Sequence, residues 1–424
     1  MIRATEWGMG LDIDRDRFVE TMKRQGEIGE NENGGLDRLT LTDADREVRD
    51  WFRDQLEALD LDVTVDEMGN MFGRRPGASD DGAVLLGSHL DSQPNGGIYD
   101  GPLGVVAALE FLRTLEDEGI ETERPVEIVN WTNEEGSRFQ PAMMASEVWA
   151  GKTSVEAAYE TTDGDGVRFV DALERIGYRG DAPAEPQGPY DSYLELHVEQ
   201  GPFLERGGHD VGVVTGIVGL QWGEITFHGQ ANHTGTTPMQ YRNDALVAAS
   251  DVITGIRRLP GTLGERTVAT TGDIDVEPGS INIIPEEVRF TFDIRDPDDD
   301  VIAEGLERIK AEMRAAAERE GVDWEYEERM SAASVDFADR CVSAVREAAA
   351  DLSYDAREMV SGAGHDATHA ASVCDTAMVF AVSEGGKSHT PDEYTSWDDC
   401  HAAAETYANA ALRLAGVADG SDPA

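Results

Sequence analysis

Hydrophobic positions along this chain follow two periods. GAVLLGSH (82–89), VEIVNWTNEE (126–135) and SYLELHVEQ (192–200) are short apolar runs that end in polar side chains, and runs of that length read as buried strands. LGVVAALEFLRTLEDEG (103–119) instead spaces its apolar residues as a helix does and stops at a glycine. Strand and helix signals in alternation predict an α/β sheet. Ligands of open α/β sheets gather beyond the carboxyl ends of the strands, so the polar ends of the three runs are expected to converge there.

The character changes near Val213. WGEITFHG (222–229) alternates, NDALVAASDVITGIRRL (243–259) is helical, and RTVATTGDIDVEP (266–278) and EVRFTFDIR (287–295) read as strands. VIAEGLERIKAEMRAAAERE (301–320) is an amphipathic helix and DWEYEERM (323–330) a closing strand. This β-α-β-β-α-β order predicts a ferredoxin-like α+β domain at 213–329, inserted between 1–212 and 330–424 of a larger α/β domain. The carboxyl-terminal part returns to helix, a strand at 376–383, a loop containing SHTPDE, and a last helix. The stretch 161–190, rich in Gly, Asp and Pro, reads as an irregular surface excursion.

Composition narrows the class. With 424 residues, 40% of them hydrophobic, the chain can bury the cores of two domains, and no segment approaches the length of a membrane span. The opening MIRATEWGMGLDIDRDRF lacks the apolar region of a secretory signal, and the 3 cysteines (Cys341, Cys374, Cys400) form no paired spacing, so free thiols in a reducing cytoplasm are expected. Charge is lopsided: 85 acidic residues face 35 basic ones, for a net −50, and only Lys23, Lys152, Lys310 and Lys387 are lysines. Acids spread over the whole chain read as a solvated surface, not an interaction tail. They argue against nucleic-acid binding, which needs a cationic face. Repulsion of this size requires screening, so a high-salt, halophilic cytoplasm is expected.

Candidate chemistry lies in small motifs set far apart: His89 and Asp91 in GSHLDS, Asp100 in GGIYDGPLG, Glu134-Glu135 in NWTNEEGSRF, His197 in LELHVEQG and His389 in GGKSHTPDE. Imidazoles with carboxylates are a ligand set for zinc or manganese. Asp91 is placed to orient His89, since a ligating imidazole commonly gives its other N–H to a carboxylate. Adjacent glutamates at a buried strand end repel each other unless cations share the site, and their side chains diverge, so one can bind metal while the other serves as base. Each motif has an ordinary alternative: a surface turn for HxD, a Gly/Asp turn around Asp100, a core histidine at 197, a simple turn at 388–393.

Taken together and in order, GSHLDS, GGIYDGPLGV, NWTNEEGSRF, LELHVEQGPFLE, NHTGTTPM, INIIP, FDIR, SGAGHDA and SHTPDE resemble the zinc-dependent amidohydrolases of the hydantoinase/carbamoylase group, within the two-metal aminopeptidase and aminoacylase superfamily. The resemblance covers about residues 15 to 415. It implies a three-layer metallopeptidase-like catalytic domain whose insert acts as lid and dimerisation domain, and hence a homodimer in which residues can cross between subunits. It implies two divalent ions (zinc first; manganese, cobalt or nickel as alternatives). His89 and His197 would hold one, Glu135 and His389 the other, and Asp100 would bridge them. Glu134 would be the general base, with Asp91 supporting it and His233 stabilising a developing oxyanion. Asn282 and Arg295 would bind a substrate carboxylate, and Gln200, Gly364 and His365, beside Asp366, would complete the pocket. Read alone, Arg295 is a surface arginine at a strand end.

An arginine for a carboxylate plus a metal centre for a carbonyl fits a small N-carbamoyl amino acid. VVTGIVG, NWTNEEGSRF and SHTPDEY look more like carbamoyl-amino-acid hydrolases than allantoate amidohydrolases; β-ureidopropionase is similar, and an aminoacylase or peptidase is a more distant alternative. A silent binding protein is expected to have lost Glu134 or a ligand, and none is lost. The acidic surface yields a direct test. Thermal stability should rise as salt is increased to molar levels; a maximum at low salt would contradict the halophilic reading.

Overall fold

The computed structural model describes residues 10–418. The opening segment used above for the absence of a secretory signal lies partly outside them, at 1–9. The chain divides into two units, one formed by 1–215 with 337–424 and the other by 216–336.

In the first unit the apolar runs form the middle of a mixed sheet. Strands β1 (Ala83–His89), β2 (Val126–Trp131), β3 (Tyr190–Val198), β4 (Val211–Ile217) and β5 (Asp375–Ala381) take the order β2-β1-β3-β5-β4. The first four in that order are parallel, and β4 runs antiparallel to β5. Met71–Arg75 and Asp62–Val65 extend the β2 side antiparallel. Every residue of β1 and β2 is buried, as continuous apolar strands in a parallel sheet require.

Helices Pro102–Asp117 and Trp397–Ala415 pack against β1 and β3. The first begins with a proline after Gly101, whose φ of +82° suits glycine. In the second, the Ser396 hydroxyl accepts from the Asp399 N–H at 3.1 Å, and Asp398 and Asp399 occupy the first turn. The stretch 161–190 is more ordered than its Gly, Asp and Pro content predicts. It contains the helix Phe169–Ile176, which buries Phe169, Val170, Ala172, Leu173 and Ile176. The apolar spacing of FVDALERI outweighs the flanking turn residues. The thiols of Cys341, Cys374 and Cys400 are free.

The second unit is a two-layer α+β structure. Its antiparallel sheet has the order Asp323–Ala332, Gly219–His228, Glu287–Asp296, Val268–Glu277, the strand arrangement of a ferredoxin-like fold. Alternation decides its faces: Ile225 and Phe227, with Val288, Phe290, Phe292 and Ile294, point into one core under helices Ala245–Arg258 and Asp299–Glu320. The intervening Thr226, Arg289, Thr291, Asp293 and Arg295 stay at least partly exposed. Gly321, left-handed at φ +65°, ends the longer helix. Truncating Phe290 to alanine should cost about 3–5 kcal/mol. It should appear as a lowered unfolding midpoint; an unchanged midpoint would show that this core does not hold the unit.

Candidate functional site

The parallel register carries the polar ends of the strands to one edge of the first unit. His89 ends β1 opposite Trp131, the last residue of β2, and the chain then runs through Thr132 and Asn133 to Glu134 and Glu135. His197, near the end of β3, pairs with Phe380 of β5, beyond which lie Ser383, Ser388 and His389. Asp100 enters from the loop between β1 and the helix at 102. A side chain at Gly101 would collide with the His89 ring, so this glycine both starts the helix and makes room for the imidazole. Asn133, Gln200 and His389 adopt positive φ (+61°, +57° and +56°), conformations that cost energy for non-glycine residues and concentrate at functional sites.

Two donor groups share Asp100. Its Oδ1 lies 3.0 Å from His197 Nε2 and 3.6 Å from His89 Nε2. Its Oδ2 lies 3.4 Å from His389 Nε2, which is 3.5 Å from Glu135 Oε2. The sets His89/Asp100/His197 and Asp100/Glu135/His389 each offer ligand atoms within 4.8 Å of one another. Glu134 Oε2 is 3.5 Å from His89 Nε2, directed at the first set. A further grouping among the described residues, Asp12, His401 and Glu405, is separate; Asp12 is exposed and Glu405 accepts from the Tyr354 hydroxyl at 2.6 Å.

The rings are oriented by the backbone. His89 Nδ1 donates to the Asp91 carbonyl at 2.9 Å and His197 Nδ1 to the Val198 carbonyl at 3.0 Å, so both present Nε2 inward. The partner that orients His89 is therefore the peptide oxygen of Asp91 and not the expected carboxylate, which lies 3.8 Å from Nδ1 and accepts from the Glu134 N–H at 3.4 Å. Among the described residues, buried His89 Nε2 has no hydrogen-bond partner.

Charge points the same way. Burial pushes Glu134 well above the usual carboxylate range and Glu135 up to about 8; Asp91 and Asp366 are also raised by burial. Asp100, although burial opposes it, is held well below that range by His197 and His89. Carboxylates packed this densely cannot all ionise at neutral pH unless cations share the site. The buried, partnerless Nε2 and this donor set fit divalent ions.

Several supporting residues that the sequence reading did not single out surround the donors. Gln93 donates from its backbone N–H and side-chain Nε2 to Glu135, at 3.1 and 2.8 Å. Arg38, fully buried, donates to the Leu90 carbonyl at 2.6 Å and so braces the loop after His89. Arg49, also fully buried, pairs with Asp45 at 2.9 Å and donates to Thr132 Oγ1 at 3.1 Å, two residues before Glu134. Glu195 accepts from Ser88 Oγ at 2.8 Å and from the Ala367 N–H at 3.0 Å. Both arginines sit in stretches that read as charged surface. Gln93 lies two residues past Asp91, and Ser88, Glu195 and Ala367 lie inside GSHLDS, LELHVEQG and SGAGHDA.

The expected pocket residues fall in several places. Gln200 Nε2 donates to Asp100 Oδ2 at 2.8 Å. His365 is buried, its ring 4.5 Å from that of His197 and its Nε2 3.0 Å from Ser361 Oγ; burial keeps it well below the usual histidine range, hence neutral. Gly364 lies against the Met143 side chain. In the second unit His233 and Asn282 are neighbours: Asn232–His233 pairs with Ile283–Ile284, and the Thr234 N–H donates to the Asn282 carbonyl at 3.1 Å. Arg295 stands on a different strand, Glu287–Asp296. It sits eight residues along the strand from Glu287, about 27 Å, and pairs with Asp293 at 2.9 Å.

The chain is similar to known hydrolases over most of its length. The family description "Peptidase family M20/M25/M40" matches residues 85–413. The chain is 41% identical over 413 residues to an N-carbamoyl-L-amino-acid amidohydrolase of Rhizobium meliloti, covering 97% of this chain and 99% of that one. It is 34% identical to an allantoate amidohydrolase of Bacillus subtilis, covering 90% and 93%. The crystal structure of a hydantoinase/carbamoylase family amidase from Burkholderia multivorans superposes with a TM-score of 0.92 at 42% identity, covering 98% of this chain and all of that one. Two sets of metal-type donors sharing one aspartate, on this fold and with these relatives, identify the chain as a hydrolase of the M20/M25/M40 family, in its hydantoinase/carbamoylase group.

Proposed function

We propose that the protein hydrolyses the terminal ureido C–N bond of N-carbamoyl-L-amino acids, releasing the amino acid, carbon dioxide and ammonia. The observation that carries this reading is the shared Asp100: one carboxylate oxygen faces His89 and His197, the other His389, with Glu134 beside them. Relatives named N-carbamoyl-L-amino-acid amidohydrolases, at 35–41% identity over most of the chain, support the substrate class.

His89, His197 and Asp100 would hold one divalent ion, and Asp100, Glu135 and His389 a second; zinc suits the set, with manganese, cobalt or nickel as alternatives. Bound there, two such ions polarise a carbonyl and acidify water. Glu134, buried and free of metal duty, takes the proton from the attacking water and returns it to the departing nitrogen. The Asp91 peptide oxygen holds the His89 tautomer, and the Asp91 carboxylate steadies the Glu134 backbone.

The second unit recognises the rest of the substrate. His233 donates to the developing oxyanion. Arg295 and Asn282 bind the α-carboxylate, for which a guanidinium fork is well shaped. A homodimer joined through the insert, in which residues cross between subunits, belongs to the same reading. Gln200, Gly364 and His365 complete the pocket. The net charge of −50 supports a working place in a high-salt cytoplasm.

Glu134→Gln should lower kcat by about 10²–10⁴-fold with the metal content unchanged; substantial residual turnover would remove Glu134 from the base role. Steady-state assays should show carbamoyl-L-amino acids preferred over carbamoyl-β-alanine and allantoate. Selective allantoate turnover would make the enzyme an allantoate amidohydrolase instead.

A further inference from the structure

GGIYDG and SHTPDE, two motifs almost 300 residues apart, are the halves of one lock. Glu393 is buried, and its Oε1 accepts from the backbone N–H groups of Tyr99 at 3.2 Å and Asp100 at 3.1 Å. Its Oε2 is 2.9 Å from Ser388 Oγ, which reaches Asp100 Oδ2 at 2.6 Å. Gln200 Nε2 adds contacts to the same Asp100 oxygen at 2.8 Å and to Ser388 Oγ at 3.3 Å. A side chain on Gly97 would overlap the Glu393 carboxylate, so a glycine there is a condition of the lock.

Side-chain polarity in this lock is one-sided. Ser388 and Gln200 both act on Asp100 Oδ2, the oxygen that faces His389, while Asp100 Oδ1 is left to His89 and His197. Ser388 has a single hydroxyl proton for two carboxylate acceptors. It can give that proton to Glu393 when Asp100 Oδ2 is otherwise engaged, so the His389 loop stays anchored in either case.

We propose that Glu393, acting through Ser388, is a positioning residue that fixes the His389 loop against the Asp100 loop and thereby sets the affinity of the Asp100/Glu135/His389 half of the centre, leaving the His89/His197 half largely independent. The proposal rests on the two-ion reading above.

Metal-free protein titrated calorimetrically with zinc tests it. The unaltered protein should show two binding events. Glu393→Ala should weaken one of them about ten- to hundredfold, the range for loss of an outer-shell partner, and hold the other within about threefold. Glu393→Gln, which keeps an acceptor for the two backbone N–H groups and a donor for Ser388, should restore both. Ser388→Ala removes one oxygen atom and should weaken the same event, so it decides the matter if Glu393→Ala does not fold. Two unchanged events in Ser388→Ala and Glu393→Ala, or equal weakening of both, would overturn the lock while leaving the two-ion reading intact. Fewer than two zinc ions in the unaltered protein would overturn that reading and the lock with it.

Discussion

The first unit is organised around buried negative charge. Asp91, Asp100, Glu134, Glu195, Asp366 and Glu393 are all buried near the same strand ends, with Glu135 almost so. Left alone, such a cluster would be strongly destabilising, because desolvated carboxylates repel each other and lose hydration together. Four of them are answered by specific partners: imidazoles for Asp100, the Gln93 amide and peptide N–H for Glu135, backbone N–H groups for Glu393, Ser88 and the Ala367 N–H for Glu195. Divalent ions would supply the positive charge that these groups leave uncompensated. The same electrostatic demand that makes the site a metal centre also explains why so much buried hydrogen bonding surrounds it.

A parallel sheet is what makes the convergence possible. Strand ends separated by tens of residues in sequence lie about 5 Å apart when strands are adjacent and parallel. One loop after each strand then suffices to bring in a histidine or a glutamate. The rigid part of the site is held by groups of a different kind. Arg38 and Arg49, fully buried, tie the loops after β1 and β2 to the helical layer; removing Arg38 would take a donor from the Leu90 carbonyl, and removing Arg49 would take one from Asp45 and one from Thr132. The insert follows another logic. Its alternating strands bury one face under two helices and leave Arg295 and its neighbours on the other, where a second charged group can be reached.

Much of the site was legible because its chemistry sits where periodicity ends. An apolar run followed by HxD, EE or HVEQ marks a strand, its terminus and a ligand type in one stretch of chain, and the α/β reading and β-α-β-β-α-β order followed from the same signal. The supporting groups were not legible. Arg38 and Arg49 look like any charged helix or loop residue, and Ser388 meets Asp100 across 288 positions. Phe169–Ile176 shows the opposite case, in which local composition misled and the apolar spacing of FVDALERI within it was the better guide.

What the sequence by itself determined, then, is the inventory: which strands end in ligands, which acids adjoin, how acidic the surface is and which family the motifs resemble. These are local properties, written in the spacing of apolar and polar side chains. Only the tertiary structure decided which atom faces which. It turned His89 and His197 so that Nε2 points inward, gave the two oxygens of Asp100 to different histidines and joined Glu393 to the Asp100 loop. Those choices depend on packing between segments far apart in the chain, where a displacement of an ångström changes a hydrogen bond and no pattern along the chain records it.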